Sequence, residues 1–372
     1  MAASAAAIPH KVRGVINSSE PLPISKEELT AAWFTNTLGK PVKEATIVEF
    51  IRGTASKILA ELTFEDCVDG PARVCVKGGF DPALLASLPF MFALYRREAQ
   101  FYYDIGPKIN IPLPPTMYCG TDTVNGQGIV VMADLKARGY TFGNPLETWP
   151  VHRVQAGVEQ LASLHASTWG STVEDFPWAS ETGSIRDAIL DLMVPEQWDS
   201  RFSGDARPPV PDYLVDRERM IAAVKTLWKS RDSKLNCLNH GDAHIANTFI
   251  SPTGEPGFLD WQVIHVGSAM HDVPYFIIGS LSVEDRRKHE EELLQHYLDA
   301  LHRAGAPKFR KEEIWDEYRK HAFHGFVWSL AGPMMQPREF VDAMTERYCT
   351  AIVDHQSLEL VEGLEKYRSL CT

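Results

Sequence analysis

Apolar and polar residues alternate along much of the first third of the chain, in the pattern of strands with one buried face. Three such runs follow one another, ATIVEFIRG at 45–53, SKILAELTF at 56–64 and RVCVKGG at 73–79, with a turn at 67–72 before the third. Two further runs, TMYCG and GIVVMADL, flank the polar turn DTVNGQ. The pattern predicts an antiparallel meander followed by two more strands.

Apolar residues recur every three or four positions in other parts of the chain, which is the spacing of an amphipathic helix. Residues 84–105 show this spacing, ended by a Gly-Pro pair, and residues 151–169 show it again. Residues 171–211 contain five prolines and only short helical runs, so we expect loops that carry substrate specificity. The pattern predicts a strand-rich N-terminal lobe, residues 1–135, and a helical C-terminal lobe, residues 136–372.

The charge of the chain excludes one class of partner. Forty-nine acidic and 37 basic side chains give a formal net charge of -12, whereas a surface that follows a phosphate backbone needs clustered Lys and Arg. We therefore expect a small-molecule partner and no nucleic acid. The sequence leaves the oligomeric state open.

The cysteines and the apolar runs indicate the compartment. Six cysteines are scattered without a C-x-x-C pair, which favours neither a zinc site nor a disulfide framework and fits a reducing environment. Residues 1–13 lack the charged and apolar regions of a signal peptide. No run reaches the roughly 20 consecutive apolar residues of a spanning helix. These observations predict a cytoplasmic protein without a membrane partner.

The densest group of polar residues lies in NHGDAHIAN at 239–247, and Asp260 ends an apolar run thirteen residues later. Phosphoryl transfer requires a carboxylate beside the attacking hydroxyl, oxygen ligands for Mg²⁺ and cations on the phosphates. Asp242 and Asn247 have the D-x-x-x-x-N spacing of a kinase catalytic loop, in which the Asp faces the acceptor and the Asn faces the metal. Asp260 supplies a second metal ligand in this interpretation, and nucleotide phosphates complete the shell.

The motifs HGDAHIAN at 240–247 and FLDW at 258–261 resemble those of the aminoglycoside phosphotransferase and choline kinase-like superfamily. By motif order the resemblance covers residues 45–280. It implies an α+β, two-lobed protein kinase-like fold that binds ATP and Mg²⁺ in the cleft between its lobes. It also implies an enzyme that transfers the γ-phosphoryl group to a hydroxyl of a small-molecule metabolite.

The same resemblance assigns residues to nucleotide binding. Lys77 would hold the α- and β-phosphates, and Glu98 would orient Lys77 through an ion pair. Ser56 lies in GTASK, the segment that corresponds to the phosphate-covering hairpin of the family. The backbone around Met132 and Asp134 would face the adenine.

Other landmarks agree with the resemblance, and a few positions depart from it. LHA at 164–166 resembles the helix before the catalytic loop, and Asp272 resembles the residue that braces that loop. GTASK has a single glycine, and alanines at 243 and 246 replace the larger apolar residue and the glycine that are common in the family.

Other interpretations of these residues remain open. His240 and His244 have the spacing of a zinc pair, but the missing H-E-x-x-H glutamate favours a role as hydrogen-bonding braces of the loop. A pseudokinase that binds nucleotide without turnover, and an enzyme that uses the fold for another reaction, are the alternatives to a small-molecule kinase. A protein kinase is disfavoured, because the twelve residues from Asp260 to Asp272 leave little room for an activation loop.

The acceptor is expected to be a hydroxylated and largely apolar metabolite, neither an aminoglycoside nor a choline-like cation. Segments 176–198 and 322–336, which we place near the acceptor, are rich in Trp, Phe, Leu and Met, and apolar walls favour apolar ligands. Acidic residues in and beside the first segment leave a cationic acceptor as the alternative, although such runs more often form a solvated helix face.

Overall fold

The computed structural model describes residues 16, 18, 20–66, 72–88, 91–179, 185–204, 207–230, 232–333 and 335–370. Within these ranges, no helix combines the length and the apolar character that crossing a bilayer requires. The first thirteen residues and most of the predicted turn at 67–72 lie outside the described residues.

The predicted strands form one antiparallel sheet in the order β1-β2-β3-β5-β4. Their bounds are β1 Val42–Ile51, β2 Ser56–Phe64, β3 Ala72–Gly78, β4 Thr116–Thr121 and β5 Gly128–Ala133. Three short helices accompany the sheet: α1 Ala31–Leu38, α2 Pro82–Ser87 and α3 Met91–Gln100.

The two-residue period of the strands separates the two faces of this sheet. Ile58 in β2 and Val74 and Val76 in β3 are buried in the core beneath α1. Their neighbours in sequence point to the opposite face, where Cys75 and Lys77 line a cleft. Because Val74 and Val76 are buried in the core, the alternation of side chains along β3 directs Lys77 toward the cleft.

The rest of the chain is mainly helical, as the pattern predicts. Its helices are α4 Val151–Ser167, α5 Ile185–Asp191, α6 Pro195–Phe202, α7 Arg217–Lys229, α8 Asp272–Ser280, α9 Val283–Arg303, α10 Lys311–His321, α11 Val327–Leu330, α12 Arg338–His355 and α13 Ser357–Leu370. Helices α4, α8 and α9 pack against one another around a large apolar core that contains Phe258, Trp261 and Phe276. The two motif segments are anchored in this core, because Ala243, Ile245, Phe258 and Trp261 are part of it.

One prediction about elements needs correction, and the predicted helical lobe also contains a few short strands. The helix predicted over 84–105 is divided, because α2 ends at Ser87, just before Pro89 in the sequence, and α3 ends at Gln100 in a π-helical turn over Phe101–Ile105. Short strands also occur after residue 136: β6 Thr141–Phe142, β7 Asn236–Asn239, β8 Thr248–Ile250, β9 Pro256–Phe258 and β10 His265–Ser268. Strands of two to four residues are too short to show a period.

Candidate active site

The polar loop 239–247 begins at the end of β7 and turns sharply at a glycine. Gly241 has φ +88°, and a Cβ at this position would lie 2.2 Å from the carbonyl oxygen of Val263. Glycine is therefore required both by the backbone conformation and by the space. The turn places Asp242 at the tip of the loop, and a 3₁₀ turn over Ile245–Asn247 brings Asn247 back toward it.

A buried carboxylate at the start of α8 holds the backbone of this loop. Asp272 Oδ2 accepts a hydrogen bond from the backbone N–H of His240 at 2.6 Å, and Oδ1 accepts one from that of Gly241 at 2.9 Å. His165 Nε2 lies 3.2 Å from Oδ2. Burial raises the pKa of Asp272, but the hydrogen bond and electrostatic attraction of His165 outweigh burial and lower the pKa below its ordinary value.

His240 uses both ring nitrogens inside the loop. Its Nδ1 accepts from the backbone N–H of Asp242 at 3.2 Å, and its Nε2 donates to the carbonyl oxygen of Leu259 at 2.8 Å. Burial lowers the pKa of His240, so the ring is neutral. These bonds leave no ring lone pair for zinc and fit the interpretation of His240 as a brace.

Asp242 is the one carboxylate in the sequence of the loop, and 40% of its side chain is exposed. Its Oδ2 accepts from Asn247 Nδ2 at 3.0 Å and lies 3.3 Å from His244 Nε2. Its Oδ1 accepts from the hydroxyl of Tyr275 at 3.2 Å. Burial raises the pKa of Asp242, but His244 outweighs burial and the pKa falls to about 2. Asp242 is therefore an ionised carboxylate that is oriented from both sides.

Lys77 forms a buried ion pair with two carboxylates. Its Nζ lies 2.8 Å from Glu98 Oε2 and 3.1 Å from Asp260 Oδ1, and its side chain is only 6% exposed. Burial lowers the pKa of Lys77, but the attraction of Asp260 and Glu98 outweighs burial and raises the pKa to about 12. The geometry thus contains the Lys77–Glu98 pair that the resemblance implies, and it adds Asp260 to that pair.

Asp260 has a backbone conformation that non-glycine residues rarely adopt. Its φ is +64°, and such strained residues cluster at functional sites. The following residue holds this conformation, because the N–H of Trp261 donates to Glu98 Oε1 at 3.2 Å and its ring stacks on Phe101 with centroids 3.9 Å apart. Glu98 therefore fixes both Lys77 and the segment that carries Asp260.

One cleft of about 1050 Å³, including the space at its open mouth, contains most of the predicted nucleotide-binding residues. Its lining includes Lys77, Glu98, Met132, Asp134, Asn247 and Asp260, together with Lys57, Leu59, Tyr102 and Phe142. Ser56 is not in this lining. It is 2% exposed and lies on the core face of β2, beside the cleft residue Lys57.

The donors that face the cleft suit a hard cation held together with phosphates. Asn247 directs its amide nitrogen to the carbonyl oxygen and to Oδ2 of Asp242, both at 3.0 Å, which leaves its amide oxygen for another partner. Asp260 contributes a carboxylate from the neighbouring segment, where the N–H of Leu259 donates to the carbonyl oxygen of Asn247 at 2.8 Å. Among the described residues, no group of three or more His, Cys, Asp or Glu is arranged for a metal ion. Two oxygen ligands and the nucleotide phosphates suffice for Mg²⁺.

Sequence reasoning missed Tyr275 beside Asp242, and it placed His324 and Trp328 only within the segment 322–336. Tyr275 contacts Asp242 Oδ1, Trp328 Nε1 donates to the Tyr275 hydroxyl at 2.9 Å, and His324 stacks at a tilt on Tyr275 with centroids 4.9 Å apart. Tyr275 follows Asp272 by three residues, and this one-turn spacing on α8 is a signal that could have indicated it.

The aromatic segments that we expected beside the acceptor lie mainly in the core. Trp198, Phe323 and Phe326 are at most 4% exposed and belong to one apolar cluster. Trp328 is the aromatic residue of these segments that reaches the surroundings of Asp242. Met334 and Glu181 lie outside the described residues.

Known proteins and one family model match parts of the chain. The model of the "Ecdysteroid kinase-like family" matches residues 214–306, about a quarter of the chain, and this match contains Asp242, Asn247, Asp260 and Asp272. A protein of Caenorhabditis elegans, "Uncharacterized oxidoreductase dhs-27", is 23% identical over 326 residues. The match covers 76% of this chain and only 38% of that relative.

Solved structures are similar in fold. The GDP and kanamycin complex of APH(2")-IIia has a TM-score of 0.50 at 11% identity, over 87% of this chain and 98% of that one. Spectinomycin phosphotransferase with ADP and spectinomycin has a TM-score of 0.47 at 14% identity, over 92% and 99%. Choline kinase LicA from Streptococcus pneumoniae has a TM-score of 0.46 at 16% identity, over 89% and 99%.

The predicted two-lobed, protein kinase-like α+β fold is confirmed by the sheet, the helices and the similarity to APH(2")-IIia. The resemblance to the aminoglycoside phosphotransferase and choline kinase-like superfamily is confirmed at the level of fold. The roles of the individual site residues stay predictions.

Proposed function

We propose that this protein is an ATP- and Mg²⁺-dependent phosphotransferase that moves the γ-phosphoryl group of the nucleotide onto a hydroxyl of a small-molecule metabolite. The observation that carries the proposal is the proximity of four groups in one cleft and beside it. Lys77, Asn247 and Asp260 line the cleft, where Lys77 and Asp260 are in contact, and Asp242 lies beside it in contact with Asn247. Phosphoryl transfer needs a cation, metal ligands and a positioned carboxylate.

Lys77 binds the phosphates of ATP, and Glu98 holds it in place. The charge of Lys77 is balanced by Asp260 at 3.1 Å and by Glu98 at 2.8 Å. Phosphate oxygens would give Lys77 further partners and leave Asp260 available as a metal ligand. The side chains of Asn247 and Asp260 would hold Mg²⁺, which would neutralise charge on the phosphates.

Asp242 orients the acceptor hydroxyl and takes its proton. The oxygen of that hydroxyl forms the new bond to the γ-phosphorus, the bond from this phosphorus to the bridging oxygen breaks, and ADP leaves. A carboxylate whose pKa is about 2 is a weak base, so its main contribution is position, and the proton is transferred late. A loose transition state for phosphoryl transfer requires no stronger base.

We further propose an acceptor that is hydroxylated and largely apolar. Two observations support it: the partial match to the "Ecdysteroid kinase-like family", and the uncharged surroundings of Asp242 on the side of Tyr275 and Trp328. His324 also belongs to this side, and burial lowers its pKa well below the ordinary value, so the ring is neutral. Apolar and aromatic walls favour apolar ligands.

A mass-spectrometric screen tests both proposals. The wild-type protein and Asp242→Asn are incubated with ATP, Mg²⁺ and a metabolite extract, and then with a panel of lipophilic alcohols, sugars, choline analogues and aminoglycosides. We expect phosphorylated alcohols with the wild type only. If an aminoglycoside or choline exceeds the best apolar alcohol by more than about tenfold in kcat/KM, about 1.4 kcal/mol, the acceptor proposal is wrong.

Two other functions are separated by the same screen. A pseudokinase binds nucleotide and yields no phosphorylated product across the panel. The oxidoreductase name of dhs-27 belongs to a protein of which more than half lies outside the match, so that name gives no reaction to this chain. The presence of Lys77, Asn247 and Asp260 in one cleft, with Asp242 in contact with Asn247 beside it, favours the kinase over both.

A further inference from the structure

Tyr275 contacts the carboxylate of Asp242 from outside the two motifs. It lies on α8, and its hydroxyl donates to Asp242 Oδ1 at 3.2 Å. The same helix begins with Asp272, which binds the backbone of the loop that carries Asp242. One end of α8 therefore holds the backbone of the loop through Asp272 and the side chain at its tip through Tyr275.

The hydroxyl of Tyr275 is itself held in one orientation. Trp328 Nε1 donates to the hydroxyl oxygen at 2.9 Å, which directs the hydroxyl proton toward Asp242. The ring of Tyr275 is 2% exposed and stacks on Tyr348 with centroids 5.1 Å apart and an interplanar angle of 16°. Burial raises the pKa of Tyr275 well above its ordinary value, so the group remains a donor. Tyr275, Trp328 and Tyr348 are not among the residues that line the cleft.

The two oxygens of Asp242 differ in the acceptor positions that remain. A carboxylate oxygen has about two such positions. Oδ2 faces two groups, Asn247 Nδ2 at 3.0 Å and His244 Nε2 at 3.3 Å. Oδ1 accepts from Tyr275 alone among the residues that the structure describes. One position on Oδ1 is therefore left for an incoming hydroxyl.

We propose that Tyr275 is a positioning residue of the transfer, whose hydroxyl fixes the Asp242 carboxylate so that Oδ1 receives the acceptor proton. This inference rests on the proposed function. In the step, the acceptor oxygen bonds to the γ-phosphorus, the bond to the bridging oxygen breaks with its electrons going to ADP, and the proton moves to Oδ1.

Other polar groups surround Asp242 without holding Oδ1. His240 and His244 lie in its own loop, Asp260 is close enough to interact electrostatically, and His324 lies on the side of Tyr275. Among the described residues, none of the four donates to Oδ1, so removing the Tyr275 hydroxyl leaves that oxygen without its one protein donor.

Two tyrosine-to-phenylalanine variants test the inference as a matched pair. Tyr275→Phe removes the hydroxyl that contacts Asp242, whereas Tyr348→Phe removes a buried hydroxyl that donates to the Tyr275 backbone carbonyl at 2.8 Å. We expect Tyr275→Phe to lower kcat about 10- to 100-fold and to leave the KM for ATP within about twofold. Tyr348→Phe should keep kcat within about threefold of the wild type, even where its melting temperature falls.

The variant Tyr275→Phe also leaves Trp328 Nε1 without its acceptor, and a second variant separates that effect. Tyr275→Phe combined with Trp328→Phe removes the unpaired donor, and we expect kcat to stay low. Recovery of kcat in the double variant, an unchanged kcat in Tyr275→Phe, or an equal loss in Tyr348→Phe would each overturn the inference.

A crystallographic readout does not depend on activity. High-resolution structures of the wild type, Tyr275→Phe and Tyr348→Phe should show the Asp242 carboxylate rotated or disordered only in Tyr275→Phe. An unchanged carboxylate in that variant overturns the positioning role. If the wild type transfers phosphate to no acceptor, the proposed function fails, and these structures still decide whether Tyr275 orients Asp242.

Discussion

At the scale of single residues, the two carboxylates proposed for the transfer, Asp260 and Asp242, lie in different environments. Asp260 is balanced by the buried amine of Lys77, which lies 3.1 Å away. Asp242 is 40% exposed and is bound by neutral donors, Tyr275 and Asn247, and by the adjacent His244. An ion-paired carboxylate suits a metal ligand, and an accessible, oriented carboxylate suits the acceptor side.

The first prediction concerns Asp242→Asn. The amide keeps the size of the side chain but cannot take a proton, so turnover should fall by at least about 100-fold, the usual scale for a positioned base. Nucleotide binding should be nearly intact, because the Lys77 pair is untouched. Steady-state kinetics and calorimetric titration with ATP measure the two quantities, and undiminished turnover would remove Asp242 from its role.

The second prediction concerns Lys77→Ala. Because the charge of Lys77 holds phosphates in the ground state and in the transition state alike, the KM for ATP should rise and kcat should fall together. Lys108→Ala is the matched control, since it breaks the ion pair with Asp104 outside the cleft lining. Kinetics of Lys77→Ala that match those of the control would contradict the assignment.

The third prediction concerns the two proposed metal ligands. Asp260→Ala should abolish Mg²⁺-dependent nucleotide binding and activity, and Asn247→Ala should weaken the apparent affinity for Mg²⁺, because each variant removes one oxygen ligand. Activity as a function of free Mg²⁺ measures both effects. Wild-type activity in excess chelator would refute the assignment.

At the scale of elements, the N-terminal end of α8 organises the catalytic loop. Asp272 satisfies two backbone N–H groups of the loop. In Asp272→Asn an amide N–H replaces one of the accepting oxygens, so a buried donor loses its partner. We expect this variant to lose about 3 kcal/mol of unfolding free energy. The exposed Asp199→Asn in α6 is the control, and chemical denaturation compares the two.

The pH dependence of stability follows from buried groups around the same helix end. Burial lowers the pKa of His265 to about 3 and that of His271 to about 4, below the roughly 6.5 of an unfolded histidine. The folded state therefore binds fewer protons, and stability that is present above pH 6.5 is lost as pH falls. Asp272 adds a further loss below about pH 4, because its folded pKa is also lowered.

Thermal melts between pH 7 and pH 4 measure this loss. We expect the melting temperature of the wild type to fall steadily over that range, and that of His271→Gln to fall less steeply, because glutamine carries no titrating ring. A melting temperature of the wild type that stays constant from pH 7 to pH 4 would contradict the buried, neutral state of these histidines.

The strands of the first sheet could be predicted well because their residues alternate between two faces. The bounds predicted for β2 agree with the structure at both ends. The same two-residue period explains why Ser56 lies outside the lining of the cleft. Ser56 shares its face with Ile58 in the core, whereas Lys57 shares its face with Leu59 in the cleft. The resemblance to a hairpin therefore indicated the segment but not which of its side chains face the cleft.

At the scale of the whole molecule, the sequence predicted which residues meet in the cleft better than which residues support them. Lys77 and Asp260 are 183 positions apart in sequence and in contact in space, and the sequence assigned both to the nucleotide site without predicting that contact. Tyr275, Trp328 and Phe101 carry no motif, and their partners depend on how α8, α11 and the turn after α3 pack. Such contacts follow from packing and not from local patterns.

Transfer of a labelled γ-phosphoryl group is the most direct measurement of the proposed phosphotransferase activity. The protein is incubated with ATP labelled at the γ-phosphate, Mg²⁺ and the best acceptor from the screen, and the label is followed in ATP, inorganic phosphate and organic product. We expect the label to move to the hydroxyl of the acceptor, with one ADP formed for each product. We also expect Asp242→Asn and excess chelator to stop the transfer. Label that stays in ATP, or appears only as inorganic phosphate, while the nucleotide binds in the cleft, would contradict the proposed activity.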